Sequence, residues 1–318
     1  MHSLIKTLFV EKFNNPPLSK LTDSAVLKID DRLLAFTTDT YVVKPLFFPG
    51  GDIGKLAVSG TVNDLSVMGA EPICISCGLV IEEGLDYRIL ERIIDSMERT
   101  AESAKVKVVT GDTKVVEKGK GDGLFINTSG IGIIRKSISM DDIKPGDKII
   151  INGPVGEHGI AVLLARGELG LESEVKSDCA PLNGLISEVL KVTDNIKFMR
   201  DPTRGGLGTV LNEIVEGKGF GIMLEEDRIP LSNPVKGACE LLGLDPLYIA
   251  NEGKVVIVAT PEDVQKILEV MRHHPLGKDA EIIGEIVSEP KGKVGMKTKS
   301  KGTRIVDMLV GEQLPRIC

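Results

Sequence analysis

Asp52-Ile53-Gly54-Lys55-Leu56-Ala57-Val58-Ser59-Gly60-Thr61-Val62-Asn63-Asp64-Leu65-Ser66-Val67-Met68-Gly69 carries a helix start and a helix stop at its two ends. Asp52 is placed to cap the first turn, and Gly69 to end the last one. The helix so defined carries Asn63 and Asp64 in its body. The apolar run Ile73–Ile81 then reads as a buried strand. Asp86–Ala104 is the clearest helix, because Ile89, Leu90, Ile93, Ile94, Met97 and Ala101 recur at helical spacing. Val106–Val109 and Gly123–Ile134 read as further strands. Upstream, Ala25–Ile29 and Leu33–Thr38 read as a hairpin around Asp30-Asp31 that ends at Asp39, after a helix-like start that turns at Asn14-Asn15-Pro16-Pro17. Strands mixed with two long helices predict an α/β domain over residues 1–138.

Pro145-Gly146 marks a linker. A second set of elements follows, with strands at Lys148–Ile151, Gly221–Leu224, Val255–Ala259, Glu281–Val287 and Lys293–Thr298. Helices are expected from Ile160, over Leu182–Val192 and Gly205–Glu216, and over Glu262–Arg272 behind Pro261. This predicts a second α/β domain over residues 139–310, and a mobile tail over residues 311–318. The tail ends Pro315-Arg316-Ile317-Cys318. Taken alone it is a frayed terminus whose last residue is Cys. A thiol on a short arm can also enter a pocket, accept a group and carry it elsewhere.

Composition narrows the function. The 318 residues are 42% hydrophobic and 27% charged, which is globular, and the 35 glycines predict many turns or close backbone approaches. Aromatic residues are 3%, Trp is absent and the net charge is −7, so a nucleic-acid surface is not expected. No apolar run approaches the ~18 residues of a membrane span, and five cysteines without a dense framework fit reduced thiols in the cytoplasm. Cys74-x-x-Cys77 has no second ligand pair and reads as strand thiols.

Three carboxylates stand where strands or loops are expected to end: Asp39, Asp64 and Asp112. Converging, they would suit Mg²⁺ and nucleotide phosphates; singly, each is a cap or turn residue. The stretch from Pro49 to Leu56 resembles a P-loop only at a glance, because Pro49 replaces the first Gly and Leu56 the Ser/Thr. Asp201-Pro202-Thr203-Arg204-Gly205-Gly206 places an Arg and backbone N–H groups at a helix start, which can face an anion. Glu252, beside Gly253, is a turn carboxylate or a catalytic one. Lys114 taken alone is a solvated charge.

Together, several motifs resemble the HypE family of hydrogenase-maturation carbamoyl dehydratases, within the PurM-like ATP-using superfamily. They are Phe48-Pro49-Gly50-Gly51-Asp52-Ile53-Gly54-Lys55, Gly60-Thr61-Val62-Asn63-Asp64-Leu65, Met68-Gly69-Ala70, Thr110-Gly111-Asp112-Thr113-Lys114-Val115-Val116, Arg200-Asp201-Pro202-Thr203-Arg204-Gly205-Gly206 and the terminal Pro315-Arg316-Ile317-Cys318. The resemblance implies a two-domain homodimer whose N-terminal domains share a barrel. It implies that HypF places a carbamoyl group on Cys318, that ATP drives its dehydration to a thiocyanate, and that a HypC–HypD complex accepts the cyanide for hydrogenase iron. It assigns Asp39, Asp64 and Asp112 to Mg²⁺ and ATP, and Asn63, Lys55, Asp201 and Arg204 to the nucleotide site. Lys114 and Glu252 are implied to assist the dehydration. The family's Gly-rich opening segment is expected to be missing here, since Met1–Ile5 match the interior of its first helix. Two other readings compete: a sister enzyme that phosphorylates a free small molecule, and an assembly scaffold that uses no ATP.

Overall fold

The computed structural model describes residues 5–309, apart from 14, 168, 169, 171 and 172, together with residue 311. Cys318 and the rest of the expected tail beyond Gly311 lie outside the described residues, as do Met1–Leu4.

The first sheet has five strands: β1 (Ala25–Ile29), β2 (Arg32–Tyr41), β3 (Ala70–Glu82), β4 (Lys107–Val116) and β5 (Leu124–Ile134). Their order is β1-β2-β5-β3-β4, antiparallel except for the parallel β3–β4 pair at the edge. Two of these strands outrun expectation. β2 continues through Asp39 to Tyr41, and β4 through Asp112 to Val116, so both aspartates lie within strands and not at their ends. Thr38 and Thr40 flank Asp39, and Thr113, Val115 and Val116 follow Asp112; β-branched side chains favour continued pairing over a turn.

Helix α1 (Ile53–Val67) covers one face of this sheet, and α2 (Tyr87–Ala104) packs beside it. Asp52 caps α1 by accepting from the N–H groups of Gly54 and Lys55 at 2.8 and 3.0 Å. Nearly every residue of α1 is buried, so it is a core element wedged between layers and not an amphipathic surface helix. Gly60 lets it approach the sheet, because a Cβ there would overlap the Tyr41 hydroxyl. Thr61 and Thr128 then share a buried hydrogen bond at 2.5 Å.

The second sheet comprises β6 (Lys148–Ile151), β7 (Ile196–Arg200), β8 (Gly221–Glu225), β9 (Val256–Ala259), β10 (Glu281–Val287), β11 (Val294–Lys297) and β12 (Thr303–Val306). Its order is β12-β11-β8-β10-β6-β9-β7. Around it lie α3 (Glu157–Ala165), α4 (Asn183–Val192), α5 (Gly206–Val215), α6 (Asn233–Leu242) and α7 (Val264–His273). Sequence periodicity gave no expectation for β7, β12 or α6. β7 is buried on both faces, carries Lys197 and Arg200 among three apolar residues and is only five residues long, a pattern without a clear period.

β7 delivers Arg200 and Asp201 to the junction of the two sheets, and one buried ion pair fixes it. Lys197 Nζ lies 2.8 and 2.9 Å from the two oxygens of Asp147, whose side chain is wholly buried. Lys197→Met should therefore cost about 3–5 kcal/mol, because it strands a buried carboxylate. The double variant Asp147→Asn/Lys197→Met should recover most of that loss in urea unfolding. A loss below ~1 kcal/mol in the single variant would show that β7 is held by other means.

Candidate functional site

Carboxylates from four segments meet where α1 and β2 of the first half approach the end of β7 in the second. Asp23 precedes β1, Asp39 lies on β2, Asp64 on α1, and Asp201 directly after β7. Asp23, Asp64 and Asp201 each offer an oxygen within 4.8 Å of the others. Thr37 donates to Asp64 Oδ2 at 2.7 Å and to the Asp23 carbonyl at 2.9 Å. Tyr41 donates to Asp39 Oδ2 at 3.1 Å. The alternation of β2 explains this local set, since Thr37, Asp39 and Tyr41 share the face that α1 covers. Arg200 pairs with Asp23 at 3.0 Å and with Glu213. Among the described residues no cation pairs with Asp64 or Asp201.

Burial drives the electrostatics. Asp201 is pushed up to about 8, by desolvation first and the Asp23 charge next. Asp64 is held well above the usual carboxylate range by burial and then by Asp201, Asp39 and Asp23. Asp23 and Asp39 are raised too, again chiefly by burial. Glu252, 3% exposed, is raised well above its ordinary value by burial, then by Asp201, Asp178 and Asp39. In these crowded oxygen donors the charged form is disfavoured by burial and by neighbouring carboxylates, and a bound cation would offset both. A hard divalent cation with bound phosphates fits this donor set.

The expected residues that are described divide into four groups. Asp39, Asp64, Asp201 and Glu252 come together, and Arg204 stands exposed near enough for its charge to act on Asp39. Asn63 is fully buried and engaged between the layers: its amide donates to the carbonyls of Ala180 (3.2 Å) and Glu252 (3.4 Å) and accepts from Leu182 N–H (2.7 Å). In the single chain it is thus a bridge between halves and not an open ligand. Lys55 donates to the Gly50 carbonyl at 2.9 Å on the rim of an open groove of about 490 Å³ that also holds Arg92 stacked on Phe47.

Within the single chain Asp112 and Lys114 stand apart from the expected trio. They pair with each other at 2.7 Å on edge strand β4, both about 70% exposed. Register runs from Asp112 through Gly78 and Asn127 to Thr40, on the sheet face opposite Asp39. Three strand spacings, about 14 Å, separate β4 from β2. Asp23 and Tyr41 escaped the sequence reading. Tyr41 carried a signal, two residues beyond Asp39 on the same strand face, whereas Asp23 joins the cluster only through tertiary packing.

Two family models match the chain: AIR synthase related protein, N-terminal domain, over residues 21–134, and its C-terminal domain over residues 144–297. Carbamoyl dehydratase HypE of Azotobacter vinelandii is 47% identical over 320 residues, spanning 100% of this chain and 94% of that protein. The HypE–HypF complex crystal structure contains a chain 47% identical, with a TM-score of 0.90 over 96% of this chain and 99% of that one. A crystal structure of hydrogenase maturation protein HypE in complex with ATP is 46% identical, with a TM-score of 0.86 over 100% of this chain and 96% of that one.

The raised carboxylates give a signed prediction. Each binds its proton more tightly folded than unfolded, so the contribution of these groups to cation-free stability is full below about pH 4 and is lost as pH rises towards 8. Asp201→Asn should flatten that fall and raise the melting temperature at pH 8. Mg²⁺ should stabilise the parent more at pH 8 than at pH 5, because protons compete with it. Thermal melts across this range, with and without EDTA, check both; a variant as pH-sensitive as the parent would contradict the assignment.

Proposed function

The chain belongs to the HypE family of carbamoyl dehydratases, among the AIR synthase related proteins, and on that premise we propose that it dehydrates an S-carbamoyl group on its own Cys318 to a thiocyanate at the expense of ATP. The observation that carries the reading is the buried cluster Asp23–Asp64–Asp201 beside Glu252, in which Arg200 pairs with Asp23 while, among the described residues, no cation pairs with Asp64 or Asp201. The amide oxygen attacks the γ-phosphorus of ATP and ADP departs. The C–O bond then breaks with phosphate as the leaving group, the remaining amide protons are lost, and C≡N is left on sulfur. The products are ADP, phosphate and thiocyanate, and phosphate carries away the oxygen.

Asp64, Asp201, Asp23 and Asp39 would hold Mg²⁺, which supplies neutralisation of the phosphate charge. Glu252, whose proton affinity burial raises, accepts an amide proton. Lys55 and Arg204 add positive charge around the nucleotide. Burial at the sheet junction keeps water from hydrolysing the phosphorylated amide.

The partners follow from the family. HypF loads the carbamoyl group, and a HypC–HypD complex takes the cyanide for hydrogenase iron. The chain pairs with a second copy through the first sheet. Leu27, Ile29, Phe36 and Ile131 line its uncovered face, and β4 leaves an unpaired edge, both of which support a shared barrel. Such pairing would bring the exposed Asp112 and Lys114 of one copy towards nucleotide bound by the pair. The halves divide near residue 138, with residues 311–318 as the carrier arm, in the cytoplasm. No described helix is long and apolar enough to cross a membrane.

Intact mass spectrometry with HypF, carbamoyl phosphate and Mg-ATP tests this reading. The chain should gain a carbamoyl adduct on Cys318 that then loses one water, while Cys318→Ala keeps the fold and gains no adduct. Normal loading of Cys318→Ala, or an adduct that never loses water, would count against the proposal. Lys114→Ala should load normally and dehydrate at least 10-fold more slowly.

A further inference from the structure

Glu252 lies in a stretch without regular secondary structure, between the turn Pro246–Tyr248 and strand β9. A carboxylate on such a stretch is precise only if its backbone is pinned from outside. Asp178 supplies the pin. Its Oδ1 accepts the Glu252 N–H at 3.2 Å, and its Oδ2 the Gly253 N–H at 3.0 Å. Both oxygens of one carboxylate thus grip the two peptide N–H groups that flank the Glu252 carbonyl. A Cβ at Gly253 would overlap the Asp178 carbonyl, so the two segments pack as closely as backbone allows. The Glu252 carbonyl is held in turn by Asn63 at 3.4 Å and Ala180 N–H at 3.3 Å.

Asp178 is itself anchored. Its side chain is 2% exposed, and Lys254 Nζ lies 3.2 Å from it. Burial by itself would raise its carboxyl, but Lys254, His158 and the Glu252 N–H outweigh burial and keep it below the usual range. The neighbouring Ser177 N–H donates to Pro49 O at 2.7 Å, and Ser177 Oγ meets His158 Nδ1 at 2.8 Å. The segment that presents Asp178 is therefore tied both to the Gly-rich loop before α1 and to α3.

We infer that Asp178 is a positioning residue for the dehydration step, its carboxylate fixing the Glu252 backbone so that the Glu252 side chain is held against the acidic cluster. The inference rests on Glu252 being the acceptor of the amide proton. Asp178 touches neither nucleotide nor amide in this scheme and acts only through Glu252. Asn at this position offers one acceptor oxygen and turns an amide N–H₂ towards the other backbone donor, so one of the two grips is lost.

The experiment follows conversion of the HypF-loaded full chain by quenched intact mass spectrometry. Asp178→Asn should lower kcat for loss of water about 10- to 100-fold, with KM for ATP within about twofold and carbamoyl loading unchanged. In a Glu252→Gln background it should add no further loss, because the two residues act as one unit. Asp178→Glu keeps the charge beside Lys254 and shifts the grip, and covers the case of an unfolded Asp178→Asn. It should show a smaller kcat loss with the same non-additivity. Conversion at the parental rate in both Asp178 variants would overturn the inference, as would losses that multiply with Glu252→Gln or that follow the unfolded fraction seen by circular dichroism. Glu252→Gln converting at the parental rate would remove the base assignment itself, and the inference with it. A slow Glu252→Gln beside a fast Asp178→Asn removes the inference alone.

Discussion

Mutual repulsion among buried carboxylates is the constraint on which the rest of the structure depends. Oxygens of Asp23, Asp64 and Asp201 lie within 4.8 Å of one another and the Asp39 charge acts on the same group, and carboxylates this close repel strongly when ionised where water is scarce. They are kept together by surroundings that cannot yield. Thr37 bonds two of the segments, Arg200 neutralises Asp23, and Tyr41 bonds Asp39. The fold spends stability here so that a cation and phosphates find their ligands already converged, a cost that functional sites commonly carry.

Helix α1 is the element that makes this arrangement possible. Asn63 and Asp64 are adjacent, so they point to different sides of the helix. Asn63 turns to the second half of the chain and joins Ala180, Leu182 and Glu252, while Asp64 turns to β2 and the cluster. One turn of helix thereby fixes the relation of Glu252 to the acidic residues. This explains why α1 is buried nearly all round and why it carries glycine at Gly60, where the Tyr41 hydroxyl leaves no room for a side chain.

The first sheet divides labour between its faces. The covered face holds Thr37, Asp39 and Tyr41, and the open face holds Phe36, Ile131, Asn127 and, at the edge, Asp112 and Lys114. Lys114 beside Asp112 holds its carboxyl below the usual range, in contrast to the raised group on the covered side. The same residue type thus serves opposite electrostatic ends: a carboxyl of raised proton affinity in the junction and an exposed ion at an open edge.

Much of this was legible in the chain. Apolar periodicity and cap residues located α1 and α2, because helix formation is decided locally by spacing and by the first and last turns. The hairpin before α1 and the strands of the first sheet were likewise readable, and the quoted motifs pointed to the family. Strand ends were not: β2 and β4 run past Asp39 and Asp112 because neighbouring strands supply partners that no local signal announces. Nor did sequence reveal that Asp23 joins Asp64 and Asp201, that Asn63 is engaged between the halves, or that Asp178 grips the Glu252 backbone. The chain determined by itself which residues carry charge and which stretches are helix. Only tertiary structure decided which charges meet, because that depends on contacts between residues tens to hundreds of positions apart.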